Sequence, residues 1–344
     1  MTSTISTIST ISITTTTSAG TTTSAGTMTS AGTMTSAGTT TGTGTTTGTG
    51  AATGTGAATG TGAATGTGAA TTLTSPSPPA AVPGRAGELL ARLGTRAVTG
   101  DLYAEAGAQV YHDVAGRSTH EVRELTGLVR TLPGDVLDLA AGSGRLTMPL
   151  LALGRRVTAL DLSPYMLRLL EDRLAAAPAA LRERCTVVEA DMSDFALHRT
   201  FPVIVLGTTS VSLLDERGRT GLYRAVRRHL APGGRFLLST VGMDTDSGEP
   251  AEAELVVEAE GGRAYRMYEH WAVGDSARTV TVFPALIPDD DSPVQVTTTS
   301  VGVLPAALLE AELGAAGFTV RARHPLPAVG SRHHDVLLET EVAP

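Results

Sequence analysis

The stretch "PGDVLDLAAGSGRLTMPLLALG", residues 133–154, decides the fold. Residues 136–139 form a short apolar run that is typical of a buried strand. Gly142 and Gly144 then permit a tight turn in which the backbone can approach a ligand closely. Apolar residues recur at helical spacing after this turn, until Gly154 ends the run. The stretch therefore predicts a strand, a glycine turn and a helix, the unit from which parallel α/β sheets are built.

The next stretch, "RRVTALDLSP" at residues 155–164, predicts a second strand that ends at Asp161. Asp161 lies 23 residues after Asp138, and an acid at about this spacing holds a ribose diol in doubly wound folds. The dinucleotide fingerprint G-x-G-x-x-G/A is incomplete, because Thr147 occupies its third small position. A carboxylate at Asp138 would repel a pyrophosphate but attract an ammonium or sulfonium group. The site therefore favours a nucleoside that carries a cationic amino acid.

The loop reads Asp138-x-Ala140-x-Gly142-x-Gly144 and resembles the D/E-x-G-x-G-x-G motif of the class I S-adenosylmethionine (SAM) methyltransferases, with Ala in the first Gly place. The resemblance covers about residues 135–341. It implies an α/β fold: a doubly wound, seven-stranded Rossmann-like sheet with an inserted antiparallel β cap. It also implies that the cofactor is SAM.

Four later stretches follow in the order that this family shows. "VVEADMSDF" (187–195) resembles the adenine-binding segment, and "FPVIVLGTTSVSLL" (201–214) a fourth strand facing the cofactor. "LYRAVRRHLAPGGRFLLSTV" (222–241) resembles the helix, turn and fifth strand, and residues 308–342 the last helix and strand pair. The cofactor-binding residues that the resemblance implies are Asp138, Ala140, Gly142, Gly144, Asp161, Leu162, Asp191, Met192, Gly207 and Thr208.

The composition divides the chain. Residues 1–84 contain no charged and no aromatic residue, so all 26 basic and 34 acidic side chains lie in 85–344. We expect residues 1–84 to be a disordered Thr/Ser/Gly/Ala tail that ends in a Pro-rich linker. Residues 85–134 are predicted to form an N-terminal helical cap, and 135–344 a methyltransferase domain with a substrate-cap insertion at about 250–303.

The charge and the cysteine content exclude several classes of function. The net charge of −8 argues against a protein that binds nucleic acid by neutralising phosphates. The single cysteine, Cys185, excludes an intramolecular disulfide framework and a Cys-rich zinc site, and no other set of metal ligands stands out. No apolar run is long enough to cross a membrane. We expect a cytoplasmic enzyme without a metal and without a nucleic-acid or membrane partner.

Two segments lie outside the shared scaffold and are the candidates for acceptor binding. The helical stretch 101–125 contains Tyr103, Tyr111 and His112, and two roles are open for them: contact with the substrate, or docking of the helix on the sheet. The insertion reads as an antiparallel meander of four strands. Alternation along one of them places three substrate candidates on one face and Glu269 on the other. Those three are Arg266, Tyr268 and His270; Tyr268, His270 and Glu269 are also the candidate catalytic residues.

The acceptor is expected to be a small-molecule or peptide amine. The protein is acidic, and Asp113, Glu121 and Glu269 are possible partners for an ammonium group. The stretches 103–113 and 206–219 also resemble the methyltransferases of daptide-type ribosomal peptide clusters, which N-methylate an amine at the terminus of a modified peptide. Two alternatives remain: O- or N-methylation of another small molecule, and a SAM-binding regulator or subunit without activity.

Overall fold

A computed structural model describes residues 13–14, 81–116, 121–207, 210–243, 251–259, 262–272, 274–327 and 333–343. Within these ranges the predicted α/β class is confirmed, and the strands form two sheets. The expected tail, 1–84, lies almost wholly outside the described residues, as does Thr208.

The main sheet has the strand order β12-β13-β7-β6-β3-β4-β5. Its central members β7, β6, β3, β4 and β5 are parallel, while β13 runs antiparallel to both of its neighbours. The carboxyl ends of the parallel strands therefore meet at one edge, where open α/β sheets bind ligands. The strands are β3 (Val136–Leu139), β4 (Val157–Asp161), β5 (Cys185–Glu189), β6 (Phe201–Leu206), β7 (Leu230–Met243), β12 (Phe318–Pro325) and β13 (His333–Val342).

Helices cover both faces of this sheet, because alternate strand residues are apolar on both sides. Leu137 of β3 packs in a cluster with residues of α7 and α8, whereas Val136 packs with residues of α3, α4 and α5. Asp138 follows the same alternation and points to the second face. The helices are α3 (Val122–Thr131), α4 (Thr147–Ala152), α5 (Pro164–Ala176), α6 (Ala179–Arg182), α7 (Glu216–His229) and α8 (Ala306–Ala315).

The second sheet is the inserted cap, and its four strands form the predicted antiparallel meander. Its order is β1-β8-β9-β10-β11-β2. These strands are β1 (Ile13–Thr14), β2 (Ala97–Asp101), β8 (Ala251–Glu258), β9 (Ala264–Trp271), β10 (Ala277–Pro284) and β11 (Val294–Gly302).

The N-terminal segment differs from the helical cap that we predicted. It contains the helices α1 (Gly84–Leu93) and α2 (Glu105–Ala115), but also strand β2, which pairs parallel with β11. Helix α1 covers one face of the cap sheet through a cluster that includes Ala86, Leu93, Tyr268 and Phe283. Helix α2 contacts the opposite face through Val110 and Tyr111, among others. The N-terminal segment is therefore part of the cap, and α2 lies between the cap sheet and the main domain.

Candidate active site

The turn after β3 has a backbone that few residue types can adopt. Ala140, Gly142 and Gly144 have positive φ angles of 50°, 55° and 85°. A Cβ on Gly144 would lie 2.5 Å from the Cδ1 atom of Leu170, so a side chain there would collide with α5. Glycine is required at this position for both reasons, whereas Ala140 carries the strain of a left-handed conformation.

Asp138 lies under this turn with only 1% of its surface exposed. Its Oδ2 atom accepts a hydrogen bond of 2.6 Å from the Thr147 hydroxyl. Burial raises the pKa of Asp138 to about 7, although this hydrogen bond and the nearby Arg145 oppose the shift. A carboxylate in such a setting gains from a cationic ligand, because a positive charge compensates the lost hydration.

Asp161 stands at the carboxyl end of β4, on the strand next to β3. Its Oδ2 accepts from the backbone N–H of Gly142 at 2.7 Å, and its Oδ1 from that of Ser163 at 2.8 Å. Burial raises the pKa of Asp161 against the effect of these backbone hydrogen bonds. The two bonds fix the carboxylate beside the turn. Leu162 directly follows it in the chain.

Helix α2 forms a roof over the glycine turn. The Cε1 atom of Tyr111 would lie 4.0 Å from a Cβ placed on Gly142. His112 is hydrogen-bonded through Nδ1 to the hydroxyl of Ser143 at 2.7 Å. The ring of Tyr103 packs on that of Tyr111, with centroids 5.1 Å apart. Burial raises the pKa of both tyrosines, so both stay neutral phenols.

A small cavity lies between this roof and the turn. It brings together four of the ten predicted cofactor residues and one predicted substrate residue. Gly144 and Asp161 belong to its supporting structure, since both are tied to the same turn. The lining residues are Tyr111, Ala115, Gly116, Asp138, Ala140, Ala141, Gly142, Ser143, Arg145, Leu146 and Gly207.

The segment after β5 carries the two predicted adenine contacts. The Oδ1 atom of Asp191 accepts from the backbone N–H of Ser193 at 2.7 Å, which orients the carboxylate. Met192 is 9% exposed and belongs to the core cluster of α7, so it has a packing role in addition to any contact with a ligand. Neither residue lines the cavity described above.

Sequence reasoning missed Arg145, which lines the cavity. Its guanidinium forms an ion pair with Glu121, whose side chain is fully buried at the start of α3. A Cβ on Gly207 would lie 2.9 Å from the Glu121 Oε1 atom, which places this pair against the end of β6. The sequence feature that could have indicated Arg145 is its position as a basic residue directly after the last glycine of the motif.

Asp113, the second possible ammonium partner, ties the roof to the cap sheet instead. Its carboxylate accepts from the Nε and Nη2 atoms of Arg263 at 2.6 and 2.9 Å and from the Tyr265 hydroxyl at 2.6 Å. The Gln109 amide donates a further bond of 2.9 Å. Burial opposes ionisation, but these hydrogen bonds outweigh it and lower the pKa of Asp113. The carboxylate of Asp113 therefore has a structural role. We call its contact with Arg263, Tyr265 and Gln109 the α2 latch.

The packing of β9 shows where its predicted substrate residues lie. Tyr268 is 2% exposed and packs beneath α1, with Arg85 over its ring at 5.8 Å. His270 lies beside Gly84, and Arg266 pairs with Glu254 at 3.4 Å. These three side chains therefore share the face away from α2. The alternation itself was correct, but it does not reveal which face is covered by which neighbour.

The opposite face of β9 turns toward α2. Met267 and Tyr265 share a cluster with Val110 and Tyr111. Glu269, on the same face, forms an ion pair of 2.9 Å with Arg278 of β10, and both side chains are largely buried. Of the three candidate catalytic residues, Glu269 is thus the one on the side of the roof helix.

The described residues contain no group of three or more His, Cys, Asp or Glu side chains placed to hold a metal ion. No helix among them is both long and apolar enough to cross a bilayer.

Comparison with known proteins identifies the class. A family model described as a methyltransferase domain matches residues 136–234. The cypemycin N-terminal methyltransferase of Streptomyces sp is 33% identical over 118 residues, which are 34% of this chain and 43% of that protein. The chain thus spans less than half the length of this curated relative.

Solved structures match over more of the chain. The glycopeptide N-methyltransferase MtfA in complex with SAM is 36% identical, with 77% of this chain and 99% of that chain covered and a TM-score of 0.54. Its complex with S-adenosylhomocysteine (SAH) is 37% identical, with coverages of 77% and 100% and a TM-score of 0.55. DesVI of Streptomyces venezuelae, 21% identical with coverages of 69% and 96% and a TM-score of 0.52, shares the fold. The predicted class and cofactor are confirmed, and the chain belongs to the class I SAM-dependent methyltransferases.

Proposed function

We propose that the protein N-methylates an amine on a peptide or glycopeptide natural product. The observation that carries this proposal is the alignment with MtfA, which extends over that whole chain at 35–37% identity. It therefore includes the regions outside the shared cofactor scaffold. MtfA is a glycopeptide N-methyltransferase, and the cypemycin enzyme is an N-terminal methyltransferase. The acidic residues around the site are compatible with a basic acceptor.

SAM supplies an electrophilic methyl group on a sulfonium, and transfer to an amine is an in-line displacement in which the C–S bond breaks as the C–N bond forms. The protein's part is to align the two reactants and exclude water, and such positioning can contribute ~7–11 kcal/mol. We assign Asp161 to the ribose diol and Asp138 to the cationic amino-acid end. The roof of Tyr103 and Tyr111 closes the site from above.

The amine must be neutral when it attacks and must lose a proton afterwards. Glu269 is our candidate for the group that attracts the amine or takes this proton, because it lies on the α2 side of the cap sheet. Its ion pair with Arg278 orients the carboxylate. This assignment replaces Tyr268 and His270, which pack beneath α1.

The narrower acceptor that we propose is the terminal amine of a modified ribosomal peptide. The similarity of residues 103–113 and 206–219 to daptide-type methyltransferases supports this choice, as does the match to the cypemycin enzyme. We place the reaction in the cytoplasm, where an unpaired thiol such as Cys185 is stable.

The test is an acceptor panel with the full-length protein and SAM. It compares a short peptide with a free terminal amine, the same peptide with an acetylated terminus, and a set of hydroxyl acceptors. We expect SAH release and a mass increase of one methyl group with the free amine alone. Methylation of hydroxyl acceptors only would contradict N-transfer. SAM binding without turnover on any acceptor would favour the non-catalytic alternative.

A further inference from the structure

We infer that Arg145 binds the α-carboxylate of the methionine part of SAM, and that Glu121 is the positioning residue that aims its guanidinium. The inference concerns cofactor binding and does not depend on the acceptor proposed above. It starts from the cavity, in which Arg145 is the cationic side chain among the described lining residues.

The amino-acid end of SAM is a zwitterion and needs two complementary charges. Asp138 supplies a buried carboxylate for its ammonium group. The carboxylate of SAM loses its hydration in the cavity and needs a hydrogen-bond donor of opposite charge, because burial of an unpaired ion is costly. Arg145 lines the same cavity, seven residues after Asp138 and across the glycine turn. The two side chains thus match both charges of the ligand.

The placement of Arg145 is specific. It follows Gly144 directly, so the constrained turn that presents backbone to the cofactor also fixes the start of its side chain. Its side chain is 9% exposed and that of Glu121 is 0% exposed. Glu121 also lies against Gly207, at the end of β6, where a Cβ would crowd it at 2.9 Å. The pair therefore spans the turns after two adjacent strands, which border the same cavity.

A guanidinium can serve two carboxylates at once, since it presents five N–H donors in a planar fork. In the proposed complex, one edge of the guanidinium pairs with Glu121 and another edge contacts the carboxylate of the ligand. A lysine would retain the charge but not the fork, so it would not bind both groups in the same geometry. In this arrangement Arg145 contacts the cofactor directly, whereas Glu121 acts only by orienting Arg145.

The experiment compares two ligands that differ only in the carboxylate: SAH and decarboxylated SAH. Calorimetric titration of each gives a preference ratio, which a general loss of stability does not change. Removal of Arg145 alone would leave Glu121 buried without its ion pair, so the main variant is the double substitution Arg145→Met with Glu121→Gln. A matched control is Arg219→Met with Glu312→Gln, which removes another largely buried ion pair, between α7 and α8.

We expect the unaltered protein and the control to prefer SAH by about tenfold or more, the value of a charge-assisted bidentate contact. The double variant should bind decarboxylated SAH within about threefold of the unaltered protein, but prefer SAH by less than about threefold. Glu121→Gln and Arg145→Lys should each give an intermediate ratio. An unchanged ratio in the double variant, or no preference in the unaltered protein, would overturn the inference. If the double variant does not fold, Arg145→Lys decides: a full preference for SAH in that variant would also overturn it.

Discussion

Replacement of Asp138 by asparagine should remove a pH dependence from both stability and ligand binding. The native pKa of about 7 lies above the ordinary value of 3.8, which applies to the unfolded chain. The folded protein therefore binds one more proton than the unfolded chain between these values, and stability falls as the pH rises through that window. The whole difference corresponds to ~4 kcal/mol, and the part between pH 5 and 7 to roughly 2–3 kcal/mol. Asp138→Asn has no such titration.

The measurement is urea unfolding of both proteins at pH 5, 6, 7 and 8. Relative to the unaltered protein, Asp138→Asn should become more stable with each step up to pH 7, and the difference should then level off. The control is Asp135→Asn, which alters a partly exposed ion pair just before β3; its curve should run parallel to that of the unaltered protein. Parallel curves for Asp138→Asn as well would refute the reasoning.

The same group should govern the pH dependence of binding. If the ionised Asp138 holds the ammonium of SAM, binding below pH 7 requires the release of a proton from Asp138. The affinity for SAM should therefore fall by up to about tenfold for each unit by which the pH is lowered. In Asp138→Asn the affinity should be weaker but independent of pH in this range. 5′-Methylthioadenosine, which lacks the amino-acid end, should show no such dependence in either protein, and a dependence there would point to another titrating group.

Four further predictions follow from the geometry. Asp161→Ala should weaken SAM and SAH alike by about 2–3 kcal/mol in calorimetric titrations, because it removes charge-assisted bonds to the shared ribose; equal affinity would make Asp161 a purely structural residue. Tyr268→Ala should lower the free energy of unfolding by about 3–5 kcal/mol, as expected for a buried aromatic ring. His270→Ala should leave the SAH dissociation constant within about threefold of that of the unaltered protein. A selective loss of turnover in His270→Ala would restore the predicted catalytic role of His270. Asp113→Ala should destabilise the protein by about 3 kcal/mol in urea unfolding, because it leaves the partners of the α2 latch unsatisfied. Ala140→Gly should raise the free energy of unfolding by up to about 1 kcal/mol, since it relieves left-handed strain but adds freedom to the unfolded chain; a decrease would contradict this.

Local patterns predicted the cofactor half of the molecule well. The strand, turn and helix around Gly142 and the strand ending at Asp161 are encoded by neighbouring residues, through apolar spacing and glycine. The four-stranded meander was also visible, because each of its strands alternates and is separated from the next by turn residues. In these regions, sequence-local propensity and the final contacts agree.

The cap side depended on contacts between distant segments. Strand β2 is too short and too polar to be recognised alone, and its partner β11 lies about 200 residues later. Period-two alternation in β9 separates two faces but does not say that α1 covers the one with Tyr268. The ion pair between Glu121 and Arg145 joins two loops that approach each other only in the folded protein.

The parallel pairing of β2 with β11 has a consequence for how the enzyme is made. The ribosome releases residues 97–101 long before residues 294–302 exist, so β2 has no partner strand until most of the chain has been synthesised. The same holds for Asp113, whose partners in the α2 latch are residues 263 and 265. The contacts that tie the roof helix to the cap sheet can therefore form only after these later residues have been synthesised.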